Sequence, residues 1–142
     1  MVLLDVNVMV YAHRPESPRH LEFRRWHEKL VESGVPFGLS DHVMAGFIRI
    51  VTHPRIFDVP TSLEEALQVV AKLRAQRNCV WIRPGASHWD IFVHLCSAAE
   101  VKGNNVPDAY LAALAIESGC EWITADRGYA RFPGLRWRHP LD

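Results

Sequence analysis

Three aspartates carry the chemistry that this chain could perform: Asp5 in VLLDVNVMVYA, Asp108 in NNVPDAYLAALAIESG and Asp126 in WITADRGYARFPGLRW. Asp5 follows three apolar residues and precedes more apolar chain, where an ionised carboxylate is strongly disfavoured unless something pairs with it. It must therefore sit at the end of an element or hold a partner. Carboxylates gathered within a few ångströms would raise one another's pKa unless a cation lay among them. Hard oxygen ligands of this kind select Mg2+, or Mn2+, over zinc. Such a cation positions phosphate oxygens and an attacking water in phosphodiester hydrolysis. Each acid also has a plainer role open to it. Asp108 could be a first-turn acid favoured by the helix dipole, and Asp126, before Arg127 and Gly128, an ordinary turn residue.

The elements that must position these acids follow from pattern. Val2 to Asp5 is short and continuously apolar, as in a strand buried on both faces of a parallel sheet. From Ser17 to Ser33, Phe23, Trp26, His27 and Leu30 recur at helical spacing. Phe37 to Leu39 predicts a strand, and Ser40 or Asp41 caps a helix carrying Val43, Met44, Phe47, Ile48 and Val51. Thr61 and Ser62, each three residues before a glutamate, form a doubled capping box for a helix with Leu63, Leu67, Val70 and Leu73. Cys79 to Ile82 predicts another strand, and Ser87 with Asp90 opens a helix through Phe92, Val93 and Cys96. After a Gly103-Asn104-Asn105 turn, Pro107 starts a helix that runs to Gly119, and Trp122 to Thr124 forms a strand ending at Ala125 and Asp126.

Strands alternating with helices indicate an α/β fold with a mainly parallel sheet. If the strands at Val2 and Trp122 are parallel neighbours, Asp5 and Asp126 share the carboxyl edge, where open α/β sheets bind ligands. Spacing alone brings Asp108 to that edge only if its helix packs unusually.

The totals narrow the class. A chain of 142 residues, 49% hydrophobic and without a linker-like stretch, fits one domain over residues 1–142. The formal net charge of zero excludes a whole-molecule attraction for nucleic acid, so any polyanion site must be local. Of the 16 basic residues 13 are arginine, whose planar fork matches phosphate. Cys79, Cys96 and Cys120 show no CxxC spacing, which points away from a disulfide framework or cysteine zinc site and towards a reducing cytoplasm. Nothing resembles a signal peptide or a membrane span. His13, His20 and His27 recur every seven residues, but seven helical residues span roughly 10 Å, too far for neighbours to share a metal.

VLLDVNVMVYA, RIVTHPRIF, NNVPDAYLAALAIESG and WITADRGYARFPGLRW together resemble the PIN-domain family, in particular VapC-type toxins of toxin–antitoxin pairs, from Val2 to Leu141. The resemblance implies a three-layer α/β/α fold and Mg2+-dependent endoribonuclease activity. It makes Asp5, Asp108 and Asp126 the metal-binding acids and brings the start of the Asp108 helix to the cluster. It also implies a cognate VapB-type antitoxin covering the site, and a homodimer.

One departure stands out. Family members usually carry a glutamate in the helix before the RIVTHPRIF-like segment, where this chain has Gly46. Asn7, Asp41, Asn104 and Asn105 are the auxiliary candidates for the missing ligand, Asp41 only if it projects from the helix start. One tightly held Mg2+ is expected, a second arriving with RNA. Arg127, Arg131, Arg136 and Arg138, with Arg49 and Arg55, could guide an RNA backbone towards the acids or simply form a solvated face. Two other functions remain open at this stage. One is a phosphohydrolase with an aspartyl nucleophile, although it usually needs an acid where Asn7 stands. The other is a PIN-like module that binds RNA or antitoxin without cutting.

Overall fold

The computed structural model describes all residues, 1–142. Five short strands form one wholly parallel sheet in the order β3-β2-β1-β4-β5: β1 (Val2–Leu4), β2 (Phe37–Ser40), β3 (Cys79–Ile82), β4 (Glu121–Ile123) and β5 (Trp137–Arg138). Six helices connect them: α1 (Val6–His13), α2 (His20–Glu32), α3 (Asp41–Val51), α4 (Leu63–Arg74), α5 (His88–Ala98) and α6 (Val106–Glu117). The chain steps outward from β1 to β3 through α1–α4, then returns past β1 to β4 through α5 and α6. Right-handed crossovers in opposite directions put the two helix groups on opposite faces. The result is the expected three-layer α/β/α arrangement.

The core explains why a parallel sheet forms. Leu3, Leu4, Phe37, Leu39, Trp122 and Ile123 are fully buried, so the central strands are apolar on both sides. The layer on one face uses Val8, Val43, Phe47 and Val51. The other uses the small side chains Ala109, Ala112, Ala113 and Ala115, which let α6 lie close to the sheet. No helix is long and apolar enough to cross a membrane.

Two expected helix caps, at Thr61 and Ser87, need correction, and the segment after Asp5 forms an element that its pattern did not assign. The segment after Asp5 is a helix, α1, although its Val-rich sequence has weak helix propensity. Its formation follows from Asp5, which has extended backbone angles and accepts the Val6 N–H as an N-cap, and from the burial of Val8, Met9 and Val10. Ser62 caps α4 as expected through Glu65 N–H. Thr61 does not take part. Its hydroxyl instead accepts from Arg14 at 2.8 Å. Ser87 makes no side-chain cap on α5; the backbone N–H groups of Gly85 and Ser87 donate to the Glu117 carboxylate at the far end of α6. The edge strand β5 is too short for its period to be read.

Arg14, the residue that ends α1, is buried at 8% exposure and ties down the irregular segment before α4. It donates to Thr61 Oγ1 and to the Val59 carbonyl at 2.7 Å, pairs with Glu16, and stacks over the Phe57 ring at 4.3 Å. Arg14→Ala would leave the buried Thr61 hydroxyl and the Val59 carbonyl without their charged donor. The expected loss is about 2 kcal/mol of unfolding free energy, read as a shift in the urea midpoint with an unchanged slope.

Candidate active site

Asp5 ends β1 and starts α1, so its carboxylate lies at the carboxyl edge of the sheet at 5% exposure. Its charge is met by donors from three places. Oδ1 accepts from Val6 N–H at 2.6 Å, while Oδ2 accepts from the Asn7 amide at 2.9 Å and from the Thr124 hydroxyl at 2.6 Å. Thr124 is itself fully buried just past β4, and its Oγ1 accepts from Asp126 N–H at 2.9 Å. Asn7 closes the network by accepting from Ala125 N–H at 3.0 Å. This lattice joins the two strand ends across more than a hundred residues of sequence. Thr124 was missed from sequence because a threonine at a strand end looks like ordinary β propensity.

Asp126 is exposed beyond β4, and Gly128 N–H donates to its Oδ1 at 2.7 Å, fixing the turn that follows. Asp108 stands in the first turn of α6, and the buried Tyr129 hydroxyl donates to its Oδ1 at 3.4 Å. No unusual packing is needed to bring it here. A helix that leads into a parallel strand runs back antiparallel to it, so the first turn of α6 lies at the carboxyl edge.

All three acids line one cavity of about 1010 Å³. The charge that gathers there is visible in the acids themselves. Burial, and then the charges of Asp108 and Asp126, push the Asp5 carboxyl up to about 6 against the hydrogen bonds from Thr124 and Val6. Asp108 is also raised, first by burial and then by Asp126. Tyr129 is raised by burial and by the same acids, so it stays a neutral donor. No three acidic, histidine or cysteine side chains are drawn into a ready-made metal cage. The three carboxylates face one open space rather than converging on a point.

The auxiliary candidates divide. Asn7 belongs to the site through Asp5 and Thr124. Asp41 does not: its carboxylate accepts from the Trp81 indole at 2.7 Å and from Arg83 at 3.0 Å, away from the acids, because the start of α3 packs beside β3. Asn104, rather than Asn105, lines the cavity. Gly46 also lines it, so the position of the missing glutamate does face the acids. A Cβ there would stand 3.0 Å from Val6 Cγ2, which is tight.

Of the arginines expected to meet RNA, Arg49 alone lines the cavity, and it has no ion-pair partner. Arg127 is held by Asp142 at 2.8 Å and Arg138 by Glu121 at 3.1 Å. Arg136 donates to the Gly119 carbonyl, while Arg131 donates to Gly128 and lowers the Asp108 pKa through its charge. Arg55 is exposed and does not line the cavity. The three histidines at seven-residue spacing have separate duties: His13 packs on Phe47, His20 meets the Tyr11 carbonyl, and His27 is mostly buried. All three cysteines are free.

Against known proteins, a description of the PIN domain matches residues 2–135. Ribonuclease VapC43 of Mycobacterium tuberculosis is 49% identical over 142 residues, covering 100% of this chain and 97% of that protein. Ribonuclease VapC25 of the same organism is 36% identical over 140 residues, covering 99% of both. In fold, the chain is similar to VapBC2 from Rickettsia felis bound to a DNA fragment from its promoter, with a TM-score of 0.72, 20% identity and 98% of each chain covered.

The raised Asp5 has a consequence for stability. Its folded value of about 6 exceeds the unfolded 3.8, so the protonated form is preferred in the fold. That contribution is complete below the unfolded pKa and is lost as pH rises through about 6. The difference amounts to about 3 kcal/mol. In chelator, Asp5→Asn should therefore be more stable than the parent at pH 8, and the gap should close by pH 4. Denaturant titrations at the two pH values measure this directly.

Proposed function

The chain belongs to the PIN-domain family, in its VapC-type branch, and on that premise we propose that it is a Mg2+-dependent endoribonuclease, the toxin of a type II toxin–antitoxin pair. The observation that carries this reading is the shared cavity of Asp5, Asp108 and Asp126, contributed by a strand end, a helix start and a post-strand turn. Asp5 and Asp108, raised first by burial and then by neighbouring carboxylates, are the donor chemistry a hard divalent cation fits. The open spacing suits Mg2+, which keeps several waters and takes few protein ligands.

Each acid has its own positioning device. Thr124 and Asn7 hold the Asp5 carboxylate in one orientation, Tyr129 orients Asp108, and the Gly128 backbone orients Asp126. When bound, Mg2+ supplies a clamp on phosphate oxygens and a water of lowered pKa for attack on the phosphodiester. The chain supplies the ligands and a partly dry wall from Val10, Ile50, Phe57 and Leu111 that strengthens charge interactions inside the cavity. The alternative of a phosphorylated aspartate fits less well, because the acid it usually needs two residues on is replaced by Asn7, whose amide donates to Asp5 Oδ2.

The partners follow from the same reading. RNA is the substrate. A VapB-type antitoxin covers the cavity, in keeping with a chain of similar fold solved in a toxin–antitoxin complex from Klebsiella pneumoniae. A homodimer is part of the proposal, and the exposed Trp89 and Val93, one turn apart on α5, offer it apolar surface. A second reading, a binder that does not cut, is favoured by one observation: Gly46 leaves the α3 wall of the cavity without the usual carboxylate.

Purified protein incubated with total cellular RNA should give discrete cleavage with Mg2+ and none in chelator. Asp5→Asn and Asp108→Asn should abolish it while remaining folded by circular dichroism. RNA left intact by folded parent protein, with Mg2+ and Mn2+ both supplied, would select the non-cutting reading. Calorimetry of the parent should show one Mg2+ per chain; two tight sites would require a ligand other than these three acids.

A further inference from the structure

The wall of the cavity that lacks its carboxylate has a composition of its own. His42, Ala45, Gly46, Arg49 and Ile50 of α3 all line the cavity. Seven residues of α-helix turn about 700°, so His42 and Arg49 lie within about 20° of each other on one face, about 10 Å apart along the axis. Gly46 lies between them. Having no side chain, it leaves a notch whose floor is Val6, the residue that follows Asp5.

Both flanking side chains are uncommitted donors. Arg49 is the only cation lining the cavity, against Asp5, Glu16, Asp108 and Asp126, and forms no ion pair with them. The exposed His42 ring leans on Tyr110, with ring centroids 5.4 Å apart at 34°, and makes no hydrogen bond. An imidazole N–H donates to a phosphate oxygen in either tautomer, and a guanidinium does so in pairs. Glu16 is matched by Arg14, so three carboxylates face one guanidinium and the cavity is anionic. A divalent cation removes part of that charge, and a polyanion still needs donors placed away from the acids.

We infer that His42 and Arg49 form a phosphate cradle across the Gly46 notch, gripping the RNA backbone next to the phosphate that meets the metal. This deepens the ribonuclease reading and rests on it: the α3 wall, which would otherwise hold a cation through a carboxylate, holds substrate directly. Specificity for the strand then comes from α3, and metal binding from the acids alone. His42 is a binding residue that its sequence context, one position after Asp41, did not distinguish.

The test separates the cradle from the nuclease reading. Binding of a fluorescein-labelled random-sequence RNA 12-mer is measured by anisotropy over a series of NaCl concentrations, in the Asp5→Asn background so that the probe survives. Adding Arg49→Ala should weaken binding several-fold and reduce the slope of log affinity against log salt by about 0.7, the value for one single-strand phosphate contact. Adding His42→Ala should weaken binding without raising that slope, and Arg49→Lys should keep the slope. In protein with Asp5 intact, neither His42→Ala nor Arg49→Ala should change the calorimetric Mg2+ isotherm. An unchanged salt slope in Arg49→Ala, loss of Mg2+ binding in either variant, or equal competition by a Glu-rich decapeptide would overturn the phosphate assignment. A reduced slope with parent protein that leaves RNA uncut would keep the cradle and remove the nuclease.

Discussion

The structure depends on satisfying one buried carboxylate. Asp5 sits where β1 becomes α1, and three donors meet it there: the first N–H of α1, the Asn7 amide and the Thr124 hydroxyl. Without them a charge at this depth would be strongly unfavourable. With them, the carboxylate does three things at once. It caps a helix whose Val-rich sequence has little propensity of its own, it ties β1 to the loop after β4, and it presents its charge to the cavity. Thr124 extends the same constraint, because the hydroxyl that donates to Asp5 also accepts from Asp126 N–H, so the placement of two acids is one hydrogen-bonded problem.

Even so, the donors do not fully offset burial and like charge. Asp5 remains pushed up to about 6, and Asp108 is raised as well. Such a charge surplus at the carboxyl edge of a parallel sheet carries an electrostatic cost that an opposite charge placed there would offset. The topology concentrates that surplus. Parallel strands end together, and the helix before β4 begins at the same edge, so three separate segments deliver acids to one place without any close sequence spacing.

The α3 wall shows how one packing contact reshapes a site. Val6 must follow Asp5 as the first residue of α1, and its branched side chain reaches to 3.0 Å from where a Cβ of residue 46 would stand. Glycine relieves that approach and removes a carboxylate in the same step. The cavity is thereby lined on α3 by a histidine and an arginine, with Asp41 turned towards Trp81 and Arg83 instead.

By itself the sequence determined the α/β order, the strands that lead into Asp5 and towards Asp126, most helix starts and three acids as candidates for one site. These are local matters: apolar period, capping residues and the cost of a carboxylate in apolar chain act over a few residues. Tertiary structure alone decided that Asp108 arrives by ordinary antiparallel packing of α6, that Thr124 holds two acids, that Thr61 serves Arg14 rather than a helix cap, and that Arg127 is tied to Asp142 while Arg49 stays unpaired. It also turned Val6–His13 into a helix against its propensity. The physical reason is the same in each case. Hydrogen-bonding and charged side chains choose among partners distant in sequence, and only the crossover path and sheet order determine which of them come within reach.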